Sequence, residues 1–184
     1  MLWDDFLNSD YHDWRGGDRS EDRLDKAGWL DQWLGEHHLS VTGRPTEEEM
    51  AELKRFRAFL FDLVKRLVHG SEASRDDIRT LNKLLAGGPV VRQITGSAGG
   101  YRLETQHFST PVEWPQVMAE IAASFADVLI NGEISRIRIC DNPDCLWVYY
   151  DNTRNRSKRF CDDKMCGNLM KVRRFRARKK SSEI

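Results

Sequence analysis

The chain has 184 residues, of which 40% are hydrophobic, and its 29 lysines and arginines equal its 29 acidic residues in number. This length suffices for one domain with an apolar core, or for such a domain and a small appended module. No run approaches the ~20 apolar residues that cross a bilayer, and the first residues lack the basic and apolar segments of a secretion signal. The sequence therefore predicts a cytoplasmic protein with reduced thiols and no membrane partner.

The neutral total charge hides two regions of opposite sign. Residues 1–135 contain 15 lysines and arginines against 23 acidic residues, whereas residues 136–184 contain 14 against six. Such asymmetry is typical of a basic segment that binds a polyanion, attached to an acidic domain that would not approach one. The charge shift and the onset of a cysteine-containing segment predict a domain at 1–133 and a module at 134–184.

Helical spacing of apolar residues dominates the first domain. It predicts a helix that begins at Asp22, as its N-cap, and runs to about Leu34. Thr46 and Glu49 form a capping-box signature, in which each side chain satisfies the other's backbone amide, at the start of a long helix. Glycine at position 70 supplies the stop for this second helix.

The next segment combines two more helices with a pair of strands. Ser74 and Asp77 repeat the capping-box pattern at the start of a third helix. A glycine-rich loop between β-branched and aromatic residues predicts an antiparallel hairpin of Val90–Thr95 and Tyr101–His107. A fourth helix is expected over Gln116–Ile130. The predicted fold class is therefore α+β, with a mainly helical N-terminal domain that includes one hairpin.

All four cysteines lie in the basic module, as two CxxxxC pairs separated by 15 residues. Four thiolates that converge from two turns match the tetrahedral, all-sulfur coordination of a structural Zn²⁺. Two disulfides or four unrelated thiols are the alternatives, and no cysteine outside the cluster could serve as a disulfide partner. The sequence thus predicts one structural zinc ion. Its ligands would be Cys140, Cys145, Cys161 and Cys166.

The segments around the cysteines predict a compact zinc finger. A strand over Ile134–Ile139 would lead into a knuckle at the first cysteine pair. Trp147–Tyr150 and Arg159–Phe160 are expected to pair as strands and return the second cysteine pair to the first. A terminal helix would follow, with Leu169, Val172 and Phe175 packed inward. Knuckle, hairpin and helix in this order give a treble-clef-like arrangement.

Cations are unusually dense in this module. Zinc with four thiolates carries net negative charge and attracts cations without any further ligand. Twelve lysines and arginines follow Asp151, however, which exceeds what one such site needs. Lys171, Arg174 and Arg178 fall on one side of the terminal helix, and this pattern favours contact with nucleic acid. A solvated helix, an acidic protein partner and docking onto the acidic half of the chain remain alternatives.

Ordered motifs in this region resemble the CGNR zinc-finger family. They are Cys140-x4-Cys145-x-Trp147, then Tyr150-Asp151-x-x-Arg154-Asn155-x-Ser157-x-Arg159-x-Cys161, then Cys166-Gly167-Asn168 and Lys171-Val172-Arg173-Arg174. In that family the finger follows a mainly helical ABATE domain, which the sequence Asp5-Phe6-Leu7-Asn8 and the pair Leu81-Asn82 also resemble. Such proteins are regarded as bacterial, stress-induced transcription regulators.

The resemblance implies roles for particular residues. The four cysteines would bind zinc, and five cationic side chains would contact nucleic acid: Arg154, Arg159, Lys171, Arg173 and Arg174. The family's signature ends in an arginine where this chain has Leu169, so that arginine's role has no counterpart here. The acidic domain would sense a signal or mediate assembly, as a homo-oligomer or with a protein partner.

Other functions receive less support from the sequence. No GxSxG, HExxH or phosphate-binding glycine loop is present, and cysteines that bind zinc are not free nucleophiles, so we expect no enzyme. Trp29, Trp33 and Trp114 could line a small-molecule pocket, although aromatic residues at helical spacing more often form a core.

Overall fold

The computed structural model describes residues 1–107 and 112–181. It confirms an α+β fold in which helices dominate and the sheets are small antiparallel hairpins. Within these residues no helix is long and apolar enough to cross a membrane. The helices are α1 (Leu2–Leu7), α2 (Ala27–Glu36), α3 (Glu47–Val68), α4 (Arg75–Ala86), α5 (Trp114–Asn131) and α6 (Asn168–Ser181), and the strands are β1 (Asp10–Tyr11), β2 (Glu21–Asp22), β3 (Val90–Ser97), β4 (Gly100–His107), β5 (Ile137–Ile139) and β6 (Val148–Tyr150).

The first predicted helix is divided in the structure. Asp22 does act as a cap, but for a short 3₁₀ turn, Arg23–Asp25, in which its side chain accepts a hydrogen bond from the Leu24 amide at 3.1 Å. Lys26 then adopts an extended conformation before α2 begins. The Asp22 carboxylate also accepts two hydrogen bonds from the Arg57 guanidinium on α3, at 2.8 and 2.6 Å. This tertiary contact fixes the chain where local propensity alone would continue the helix.

Both predicted capping boxes are present. Thr46 accepts from the Glu49 amide, and the Glu49 carboxylate accepts from the Thr46 amide at 2.8 Å. Ser74 and Asp77 form the same reciprocal pair at the start of α4. After α3 the chain turns at Gly70, whose φ of +86° favours glycine.

The core of the molecule is formed mainly by α1, α3 and α5. Large side chains from these helices are fully buried, including Trp3, Phe125 and Leu63. The rings of Trp3 and Phe125 meet edge to face with centroids 5.4 Å apart. Helix α5 buries most of one side along its whole length, which explains its strong apolar character.

The strand pairing predicted for the zinc finger is wrong. β6 pairs antiparallel with β5, with Ile137 opposite Tyr150 and Ile139 opposite Val148, and Arg159–Phe160 is not a strand. The observed pairing buries Ile137 and Val148 in the same core as the helices. Next to Arg159, Phe160 is buried in the cysteine cluster instead of in this core.

The terminal helix also differs from expectation. Of its apolar residues, Val172 is 44% exposed and Phe175 is 70% exposed, and α6 contains no buried residue. The prediction that these side chains pack inward is therefore wrong. The strands β5 and β6 flank the knuckle, whereas the predicted hairpin would follow it, so the treble-clef order is not confirmed.

Candidate metal centre

The structure brings the four cysteine thiols together. All four Sγ atoms lie within 4.8 Å of one another, with 3.7 Å between Cys145 and Cys161 and 3.8 Å between Cys161 and Cys166. Zn–S bonds of about 2.3 Å in a tetrahedron place sulfur atoms about 3.8 Å apart. Disulfide sulfurs would lie about 2.0 Å apart. The donor set therefore fits one structural Zn²⁺, and the disulfide alternative does not agree with the geometry.

Thiols this close oppose one another's ionisation unless a cation is bound. Hydrogen bonds from the thiols of Cys145 and Cys161 lower the pKa of Cys140 to about 2. The same sharing raises the pKa of Cys145 to about 12 and that of Cys161 further still. The shared hydrogen bonds thus oppose ionisation of Cys145 and Cys161, and the charge of Zn²⁺ would favour the thiolate form of the ligands.

Backbone hydrogen bonds shape the first cysteine pair into a knuckle. The Cys140 amide donates to the Trp147 carbonyl at 2.9 Å, which closes the loop between β5 and β6, and the Cys145 amide donates to the Asn142 carbonyl at 3.0 Å. Leu146 completes the turn with a φ of +52°, an unusual value for a residue other than glycine. Both cysteines are 5% exposed, so the hairpin supplies two preoriented, nearly buried ligands.

The second pair comes from a loop and a single π-helical turn. The Asp141 amide donates to the Arg159 carbonyl at 2.9 Å, and the Cys161 amide points at the Cys140 sulfur at 3.5 Å. Cys166 lies in the turn Asp163–Gly167, from which α6 continues directly. The metal centre therefore sets the starting direction of α6.

A buried carboxylate orders the loop that precedes Cys161. Asp151 is 0% exposed and accepts hydrogen bonds from the Thr153 hydroxyl and amide and from the Lys158 amide. Burial alone would raise the pKa of Asp151, but these hydrogen bonds lower it below its ordinary value. Arg136 on the far side donates to the carbonyls of Asp151 and Thr153. The loop that carries Arg154 is thus held at both of its sides.

The N-terminal segment covers the metal centre, which the sequence alone did not predict. The Asn142 amide group, 0% exposed, donates to the Trp14 carbonyl at 2.7 Å and to the Cys166 sulfur at 3.4 Å. The Asn8 side chain makes two 2.8 Å hydrogen bonds to the backbone of Val148. Polar contacts therefore join the start of the chain to its zinc module. Their partners are more than 120 residues apart, so no local pattern could have revealed them.

The residues predicted to contact nucleic acid fall into two groups. Arg154 is exposed in the loop after β6, and Lys171, Arg174 and Arg178 are exposed along α6. Two others pair with acidic residues of the knuckle. Arg159 binds Asp141 at 2.6 Å.

Arg173 is the second of these paired residues. Its guanidinium donates to Asp144 at 2.5 Å and to the Arg15 carbonyl at 2.9 Å. Gly16 lies against this pair, with a φ of +76°, and a Cβ there would approach the Asp144 carboxylate to 2.9 Å. Arg173 therefore connects α6, the knuckle and the N-terminal segment, and its geometry favours a bracing role.

The three tryptophans considered for a pocket are mainly core residues. Trp33 and Trp114 are each 3% exposed, and Trp33 stacks on Trp29 with ring centroids 5.8 Å apart. Trp29 and Trp33 do line a cavity with Trp147, but its volume is only about 110 Å³. Trp114 does not line this cavity.

A helical domain followed by a tetracysteine module defines a zinc-finger protein of two parts. The family model of the ABATE domain, described as "putative stress-induced transcription regulator", matches residues 2–132, and that of the CGNR zinc finger matches residues 136–179. The chain belongs to the ABATE family and carries a CGNR zinc finger with one structural zinc ion. No curated protein matches it.

Proposed function

We propose that the protein is a cytoplasmic transcription regulator, without enzymatic activity, whose zinc-stabilised basic module binds DNA through phosphate contacts. Membership of a family of transcription regulators supports the regulatory part of this proposal. The single observation that carries the DNA-binding part is the accessibility of α6, which contains no buried residue and presents its cations to solvent.

The expected contacts are the cations that the fold leaves available. Lys171 and Arg174 lie one helical turn apart and are exposed, and Arg154 is exposed on the ordered loop. The guanidinium of Arg174 donates to the carbonyl of Met170 in its own helix, and no carboxylate within residues 1–107 and 112–181 pairs with it. Arg173 and Arg159 would contribute less, because each already pairs with a knuckle carboxylate.

This arrangement explains affinity for DNA better than it explains preference for a DNA sequence. Cations on one helix neutralise phosphates and release counterions, which makes binding steeply salt-dependent, whereas base choice requires contacts with base edges. The metal would act indirectly by fixing the start of α6, and the helical domain would sense a signal or mediate assembly.

The test is fluorescence anisotropy of a labelled DNA duplex with the zinc-loaded full chain over a range of salt concentrations. The double variant Lys171→Ala/Arg174→Ala should bind more weakly, and the slope of log affinity against log salt should flatten by about two units. The matched control is Arg55→Ala/Arg79→Ala, which removes two exposed cations from the helical domain. No binding at low salt, or an equal loss in the control, would contradict the proposal.

A second function is favoured by the exposed apolar residues of α6. Val172 and Phe175 lie among the cations, and such a mixed surface also suits an acidic protein partner. Phe175→Ala separates the two: it would leave salt-dependent DNA binding nearly unchanged, but would abolish a nuclease-resistant protein complex.

A further inference from the structure

The hairpin of β3 and β4 has one apolar face that nothing in the described part of the chain covers. Its register places Ile94 opposite Leu103 and Gly96 opposite Tyr101, so these side chains share a face. Ile94, Leu103 and Tyr101 are 74%, 64% and 83% exposed. Exposed apolar surface of this kind marks interaction sites, and two strands alone are marginally stable in water. The hairpin therefore needs further strands.

Among the residues that the structure describes, no strand pairs with either edge of this two-stranded sheet, and the two edges differ in charge. β3 carries only Arg92, whereas β4 carries Arg102 and Glu104 on either side of Leu103. Inside the hairpin these two charges lie opposite the neutral residues Thr95 and Gln93. An open edge is a template for another strand, and charges of opposite sign on it select which strand can pair.

We propose that the protein forms a symmetric dimer in which β4 pairs antiparallel with β4 of a second copy, centred on Leu103. In that register Arg102 of each copy lies opposite Glu104 of the other, so two oppositely charged pairs form across the interface. Moving the centre to residue 102 would oppose two arginines, and moving it to residue 104 would oppose two glutamates. Charge complementarity thus selects both the occupant and the register.

The same register improves the environment of the apolar residues. Leu103 would lie between Ile94 of its own hairpin and Leu103 of the second copy, at the spacing of about 5 Å that cross-strand neighbours have. Tyr101, which faces only a glycine in its own hairpin, would lie opposite Thr105 of the second copy. The result is a continuous four-stranded sheet, and at least three strands are required for a sheet to be stable on its own.

This dimer does not depend on the proposed DNA binding. It would, however, place two basic modules in one particle, and linked modules bind a polyanion more tightly than separate ones. Failure of the dimer and failure of DNA binding are distinguishable, because mass is measured without DNA.

The experiment is sedimentation equilibrium of the zinc-loaded full chain across micromolar concentrations. The native chain should reach twice its mass of 21.4 kDa. Arg102→Glu alone and Glu104→Arg alone should each place like charges opposite and raise the dimer dissociation constant about tenfold or more. The double variant Arg102→Glu/Glu104→Arg restores opposite charges and should restore the dimer.

Controls keep this result specific. Arg92→Glu changes the net charge as Arg102→Glu does, but on the strand that is not at the interface, and should leave the dimer intact. Circular dichroism and zinc content should match the native chain in every variant, since these side chains are exposed on the hairpin. A native chain that stays monomeric, or a double variant that is no better than the single ones, would overturn the proposal.

Discussion

The helical domain and the zinc module are stabilised by different means. The helices share a core of large apolar side chains such as Trp3 and Phe125, whereas the module's own buried cluster consists of three cysteines with Tyr149 and Phe160. So small a cluster cannot stabilise a fold by apolar burial alone, and the metal supplies the difference. Metal dependence therefore follows the local core and not the sequence boundary.

That boundary is less sharp in the structure than in the charge pattern. The hairpin of β5 and β6 belongs to the module by sequence, yet Ile137 and Val148 are buried in the core of the helices. The metal-dependent part of the molecule is therefore the knuckle from Cys140 to Cys145 and the chain that follows β6, whereas the hairpin of β5 and β6 is held by the helical domain.

Removal of zinc should have the largest effect. Structural zinc contributes on the order of 10 kcal/mol to folding of small fingers, so chelation should unfold the knuckle and the segment that follows β6. Trp14 and Trp147, which pack against the cysteine cluster, should become solvent-exposed. The measurement is amide hydrogen exchange with and without a chelator. Protection that persists in the segment after β6 in the metal-free protein would contradict this view, and loss of protection in α3 and α5 would show that the regions are not separable.

A cavity in the helical core should destabilise the helical domain and leave the zinc module unaffected. Phe125→Ala removes a fully buried ring and should lower the free energy of unfolding of the helical domain by about 3–5 kcal/mol. Zinc affinity should remain at the native value, because Phe125 does not contact the cysteine cluster. Ile137→Ala serves as the comparison, since this residue is shared by both regions and should weaken both. Urea titration and a competitive zinc assay measure the two quantities.

Loss of the polar contact between Asn8 and Val148, which joins the two regions, should have the next largest effect. Asn8→Ala leaves the buried amide and carbonyl of Val148 without partners, which costs about 1–3 kcal/mol. The expected readout is faster hydrogen exchange in β6 and a lower free energy of unfolding. Asn8→Asp keeps an acceptor for the Val148 amide but no donor for its carbonyl, so it should recover only part of the loss. Full recovery would contradict the bidentate contact.

A fall in pH should release zinc and unfold the helical domain at different pH values. This is the smallest of the expected effects on stability. Hydrogen bonds from Arg66 and Ser74 hold the pKa of Asp77 well below its usual value of 3.8. A lowered folded-state pKa means that this stabilisation is complete above the usual value and is lost as the pH falls through the folded one. Protons compete with Zn²⁺ for the thiolates of Cys145 and Cys161, whose pKa values are raised, so zinc release should precede helix unfolding.

Asp77→Asn tests that order. Because Arg66 is 44% exposed, solvent screens the pair, and the variant should raise only modestly the pH at which the far-UV circular dichroism signal is lost. The midpoint of zinc release, followed with a chromophoric chelator, should not move. A shift of both midpoints would show that the two regions unfold together.

Local patterns in the sequence predicted the local features of this structure well. The capping boxes of α3 and α4, the hairpin of β3 and β4 and the cysteine cluster all depend on residues close in sequence or on a strict spacing. The pairing of β6 was missed because it was decided by burial of Ile137 and Val148 against distant helices. The bracing contact of Arg173 was missed for a related reason. A cation on a basic helix does not indicate which distant carboxylate it pairs with in the fold.

The contact between Asn8 and Val148 also governs when the fold can be completed during synthesis. The two residues are 140 positions apart, so at ribosomal rates the N-terminal segment is made roughly 10–30 s before its partner strand exists. The carbonyl of Trp14 likewise gains its hydrogen bond only after Asn142 has been synthesised. The segment around Asn8 and Trp14 is thus fixed only after residues 142–166 have been made, and it then closes over the cysteines.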